Sequence, residues 1–217
     1  MLKVATHPGL IVHPSDSGQP IQEYLPESLE LRNFDLDEYH RLIEIDFFTV
    51  DDRVELLEGL LVKMSPIRVP HANTVDRLAE IFFERIGKRA RIRVQQPVTL
   101  SNMESEPEPD IVLAQRKTYD ENHPNAGEIL LLVEVSDSTL AKDRGLKARI
   151  YASESVQEYW IVNLVDRLLE IYQNPQILAD GQGTYLSKQT LYGTKSVAPL
   201  AFPDCMIDVS EVLPKQR

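Results

Sequence analysis

Two carboxylates stand where buried strands should be apolar. Asp110 closes the run Glu106-Pro107-Glu108-Pro109 and opens the apolar stretch Ile111-Val112-Leu113-Ala114. Glu134 ends the apolar run Ile129–Val133 and is followed by Val135. A carboxylate embedded in a buried strand costs several kcal/mol unless a cation compensates it. Two of them, each on its own strand, suggest one shared cation. Lys147 follows on the next predicted helix, where Thr139, Asp143, Lys147 and Tyr151 recur every four residues and share a stripe. If that stripe faces the strand end, Lys147 can approach Glu134.

These residue types belong to metal-dependent phosphodiester chemistry. Mg²⁺ takes hard oxygen ligands in an octahedron and keeps several waters. Asp110, Glu134 and the carbonyl of Val135 would supply the protein oxygens, with a substrate phosphate completing the shell. Such an ion acidifies its water and neutralises charge in the transition state. A lysine then orients or deprotonates the water, or steadies the phosphate. Each residue also has a plainer reading. Asp110 after proline suits an exposed turn that caps local amides. Glu134 suits a strand end paired with an arginine. Lys147 lies four residues after Asp143, the spacing of an exposed helical ion pair worth about 0.3–0.5 kcal/mol.

The elements that must position these groups are legible in outline. Residues 1–30 carry Pro8, Pro14, Pro20 and Pro26 among polar residues and read as an extended or disordered arm. A helix begins near Asp35 or Asp37 and runs through Tyr39, Leu42 and Ile43. Two apolar runs flank Glu58-Gly59, the mark of a β-hairpin. Pro70 suits a helix start, Val75 to Ile86 recur at helical spacing, and Gly87 suits a C-terminal cap. Strands are expected at Ile92–Gln96, Val98–Leu100, Asp110–Ala114 and Glu128–Val135. A helix capped by Ser138 or Thr139 runs to about Ser153, and the buried strand Tyr159–Val162 follows. Strand, crossover helix and strand make a βαβ unit with a parallel pair. Arg167–Tyr172 and Tyr185–Tyr192 read as later, half-exposed strands. The architecture is α/β, a mixed sheet flanked by helices in one domain spanning 31–217.

The 217 residues suffice for a sizeable core, and 42% hydrophobic with 26% charged residues is ordinary for a globular chain. No apolar run approaches the ~20 residues of a membrane span, and Met1–His13 lacks the core of a secretory signal. The lone Cys205 excludes an intrachain disulfide and fits a reducing cytoplasm. A net charge of −11 argues against a nonspecific nucleic-acid coat protein but not against a local basic surface. The run from Arg85 to Arg93 could meet DNA phosphates, or could simply complement a helix C-terminus at about 0.3–1 kcal/mol. His71, Gln95 and Gln96 are secondary candidates for the site, each equally consistent with a surface turn or strand position. Trp160 reads as core.

Pro109-Asp110 followed by Glu134-Val135-Ser136 resembles the PD-(D/E)xK nuclease signature with its lysine displaced, because Ser136 holds the lysine's usual place. More narrowly, the run Glu134–Thr139 with Asp143-Arg144-Gly145, Lys147, Tyr151 and Glu158–Val162 resembles the Uma2 family, also called DUF820, abundant in cyanobacteria. Glu55–Gly59, Met64-Ser65-Pro66 and His71 match that family's N-terminal segment. The resemblance covers roughly residues 35–213. It implies a restriction-endonuclease-like core that cuts DNA with Mg²⁺, or with Mn²⁺ in its place. Asp110 and Glu134 become metal ligands with Val135, Lys147 stands in for the motif lysine, and Glu55 matches the upstream acidic, catalytic residue that such nucleases often carry for a metal or a metal-bound water. It also implies a homodimer, one site for each strand. The competing expectation is a non-catalytic module that keeps the fold to bind nucleic acid or protein, a degenerate copy without chemistry.

Overall fold

The computed structural model describes residues 32–49 and 51–214. The proposed arm at 1–30 lies outside the described residues. The elements are α1 (Leu36–Glu44), β1 (Val54–Leu57), β2 (Leu60–Lys63), α2 (Val69–Arg85), β3 (Arg91–Val94), β4 (Ile111–Ala114) and β5 (Ile129–Ser136). Then come α3 (Leu140–Lys142), a π-helical turn at Asp143–Lys147, and α4 (Ala148–Ser153). The chain closes with β6 (Glu158–Asn163), β7 (Leu168–Ile177), β8 (Gly183–Leu191), β9 (Ser196–Val197), β10 (Ile207–Asp208) and α5 (Val209–Val212).

Six strands form one sheet in the order β3-β4-β5-β6-β7-β8. Only β5 and β6 run parallel, joined by the expected helical crossover, and every other pair is antiparallel. A mixed sheet flanked by helices is thus what the sequence leads one to expect. Side-chain alternation gives the sheet two apolar faces. Leu131, Val133, Val135, Trp160 and Val162 pack with α2 through Val75, Leu78 and Phe82. Leu132, Tyr159 and Ile161 pack on the other side with Leu146, Ile150 and Tyr151. With both faces covered, the central strands are buried along their whole length, which is why β5 and β6 read as continuous apolar runs.

The β1–β2 hairpin reaches over the second face. Its turn residues Glu58 and Gly59 both have positive φ, 51° and 75°. At Gly59 a Cβ would lie 2.7 Å from Asn33 Cβ, so glycine is required by space as well as by conformation. Arg149 of α4 pairs with Glu58 through both guanidinium nitrogens, fastening the turn to the crossover.

Three local expectations need correction. The strand at Ile92–Gln96 stops at Val94, because Gln95 turns to φ 50°. Val98–Leu100 is no strand; Thr99 and Leu100 make isolated bridges. The single helix expected up to Ser153 is broken by the π turn, in which the Ala148 N–H reaches back five residues to the Asp143 carbonyl. Two tertiary ties hold that turn: the Tyr159 hydroxyl donates to the same carbonyl at 3.1 Å, and Arg144 pairs with Glu170 of β7 at 2.5 Å.

Glu170 is 1% exposed and accepts from Arg144, Lys188, Asn163 and Tyr172. Burial works against its charge, but these donors win and hold its carboxyl down at about 2. A carboxyl depressed on folding lends stability that is complete above the ordinary value near 4.5 and lost as pH falls toward 2. Glu170→Gln should therefore lower stability at pH 7 by on the order of 1–2 kcal/mol, since Arg144 and Lys188 remain partly in water. In urea unfolding the gap from the native chain should close as pH falls from about 4.5 to about 2.

Candidate active site

Asp110 stands one residue ahead of β4. The β4–β5 register pairs Ile111 with Val133, so one step further it sets Asp110 opposite Glu134. Two carboxylates directly across a strand pair repel each other, and the surrounding groups divide the work of accommodating them. Asp110 is 7% exposed and accepts from the Val135 N–H at 2.8 Å, the Gln95 amide at 3.2 Å and the His71 imidazole at 3.1 Å. The left-handed Gln95 and the first turn of α2, which carries His71, are thereby explained: both aim a side chain at Asp110.

Glu134 points to the other helix. Its Oε1 accepts from Lys147 Nζ at 2.9 Å and from the Tyr151 hydroxyl at 2.8 Å. Lys147 is 3% exposed and also lies 2.9 Å from Oε2 of Glu55, which is wholly buried on β1. The other Glu55 oxygen is held by Lys142 at 2.6 Å. Asp143 is buried beside them and accepts from Ser136 and Thr139 at 2.7 and 2.6 Å.

Asp110, Glu134, Glu55, Lys142, Asp143 and Lys147 line one cleft, partly open to solvent, between the hairpin, the first turn of α2 and the crossover. Six carboxylates face it, Glu55, Glu108, Asp110, Glu134, Asp137 and Asp143, against the four cations Arg53, Arg68, Lys142 and Lys147. The acid excess shows in the titration behaviour. Burial raises the Glu134 carboxyl to about 8, with Asp143, Asp110 and Glu55 adding to the rise and Lys147 opposing it. Glu55, though equally buried, is brought down to about 2 by Lys147 and Lys142. Lys147 is raised well above its ordinary value, because Glu134 and Glu55 outweigh the burial that opposes its charge. For His71 burial disfavours the cation, but the hydrogen bond and charge of Asp110 outweigh it and raise the imidazole.

A divalent ion fits the donor set. Asp110 and Glu134 offer hard oxygens from adjacent strands, and Val135, next along β5, lines the same cleft. Among the described residues no three His, Cys, Asp or Glu side chains converge as a metal-binding cluster; two carboxylates and a carbonyl are a smaller set than that.

The structure brings Asp110, Glu134, Val135, Lys147 and Glu55 to one cleft. Asp110 is buried rather than exposed, Glu134 pairs with a lysine rather than an arginine, and Lys147 is turned inward to Glu55 and Glu134. His71 and Gln95 join the site, whereas Gln96 is not among its walls. Lys142 was missed as a site residue. Its only signal was membership of a basic run that also looks like a solvated face. Two members of the Arg85–Arg93 run pair elsewhere, Arg85 with Glu211 and Arg89 with Asp204.

Residues 36–210 match the family described as "Uma2: Putative restriction endonuclease". The chain belongs to the Uma2 family. Its fold is similar to the crystal structure of "a putative nuclease belonging to DUF820" from Anabaena variabilis ATCC 29413. That likeness has a TM-score of 0.61 at 13% identity and covers 82% of this chain and 97% of the other. No curated protein matches the chain. The family's description supports a nuclease, and the solved structure shows the fold. Among the described residues no helix is long and apolar enough to cross a membrane.

Lys147 compensates two buried acids, so its loss should be costly. Lys147→Met should destabilise the chain by about 3–5 kcal/mol in urea unfolding, because it removes from one side the buried cation that Glu55 and Glu134 share. Adding Glu134→Gln to that variant should restore part of the loss, and a double-mutant cycle measures the coupling.

Proposed function

We propose that this member of the Uma2 family is a Mg²⁺-dependent DNA endonuclease, with Mn²⁺ able to replace Mg²⁺, that acts in the cytoplasm. The observation that carries this reading is the ammonium of Lys147 bridging Glu134 and Glu55 beside Asp110 in one cleft. Asp110, Glu134 and the Val135 carbonyl would hold the ion. When bound, it supplies a Lewis acid that neutralises phosphate charge and acidifies water.

The remaining work falls to the side chains. Lys147 has three N–H donors; two are directed at Glu55 and Glu134, and the third serves the attacking water or a phosphate oxygen. Glu55 keeps Lys147 charged and fixes its direction. His71, Gln95 and the Val135 N–H hold Asp110 in one rotamer, so little reorganisation is needed as charge builds on the phosphate. Arg53 and Arg68, on the cleft wall, suit phosphates flanking the scissile bond. Cutting both strands of a duplex favours a two-fold dimer that presents one site to each.

The test is Mg²⁺-dependent nicking of supercoiled plasmid by the full chain, Asp110→Ala and Lys147→Ala. Both variants should lose at least about 10²-fold in rate. Equal nicking by all three would trace the activity to a contaminant and remove the assignment. DNA binding without cleavage in either Mg²⁺ or Mn²⁺ would instead identify a binding module on a nuclease fold.

A further inference from the structure

Lys142 and Lys147 are five residues apart, at the two ends of the π turn. In a regular α-helix that spacing places side chains ~140° apart around the axis. A π turn is wound wider, so residues five apart return to one face. Here both ammonium groups reach the same carboxylate, one to each oxygen of Glu55. The bulge is thus the device that brings a second lysine into the cleft.

The consequence concerns how many ions the site accepts. Glu55 is wholly buried, and its two oxygens already face ammonium groups at 2.6 and 2.9 Å. A divalent ion on either oxygen would sit against those charges in a poorly screened interior. Asp110 and Glu134 differ. Asp110 accepts from a main-chain N–H, an amide and the imidazole of His71, and among the described residues no lysine or arginine pairs with it. Both donors on Glu134 crowd onto Oε1, and among the described residues Oε2 receives none.

We propose that Lys142 stands in the place of a second metal ion: the cleft takes one divalent ion, through Asp110 and Glu134, and Glu55 is the acceptor that aims Lys147 rather than a ligand. Lys142 is then a positioning residue. This inference rests on the metal-dependent reading above and specifies its stoichiometry.

Mn²⁺ titration of the full chain, followed by calorimetry and by electron paramagnetic resonance, separates the two. The native chain should bind one ion. Asp110→Asn and Glu134→Gln should weaken it by at least about tenfold, and Glu55→Gln should leave its affinity within about threefold. Lys142→Met should admit a second, weaker ion at the bared Glu55 oxygen, and Lys142→Arg should return the count to one. Two ions on the native chain, or a Glu55→Gln loss as large as that of Glu134→Gln, would overturn the single-ion proposal and leave metal-dependent hydrolysis standing. No Mn²⁺ binding by the native chain would overturn both. Should Lys142→Met fail to fold, as judged by circular dichroism, the Glu55→Gln comparison decides alone.

Discussion

The ammonium of Lys147, 3% exposed and suspended between Glu134 and Glu55, is the contact on which the site depends. Each of its partners would be expensive to bury by itself. Together they convert three unfavourable burials into a network that fixes three elements: the hairpin through Glu55, the central strand through Glu134 and the crossover through the lysine. Breaking such a network from one side costs more than never having built it. The apolar faces of the sheet could be satisfied by many sequences; this polar seam demands one arrangement.

Around that seam, the departures from regular structure line up with the chemistry. Gln95 abandons the β region, which ends β3 early and delivers an amide to Asp110. The crossover helix takes an extra residue into one turn, and two lysines reach one carboxylate. Glu58 and Gly59 adopt positive φ to close the turn of the hairpin that carries Glu55. Each distortion costs conformational energy where it occurs and is held by a specific tertiary tie.

Much of this was legible in the chain. Apolar runs around a Glu-Gly turn located the hairpin, continuous apolar runs the buried β5–β6 pair, and helical spacing α2 and the crossover, because those elements follow burial alone. Asp110 and Glu134 stood out because acids interrupt apolar runs, and the stripe of Thr139, Asp143, Lys147 and Tyr151 placed the lysine on the correct face. The π turn could not be read. It arises from the Tyr159 hydroxyl and from Glu170, both supplied by strands later in the chain, and local propensity carries no trace of either. Lys142 was hidden for the same reason, since its direction is set by that turn. Gln95 was indistinguishable from Gln96 until its backbone conformation separated them.

The hairpin brings a temporal consequence. Glu55 meets Lys142 across 87 residues of chain, and Glu58 meets Arg149 across 91. Such distant closures are entropically slow compared with pairing β6 to β7 or β7 to β8, which are neighbours along the chain. Until the hairpin docks, Lys147 has Glu134 for company but not Glu55. The cleft is therefore complete only once the hairpin has docked.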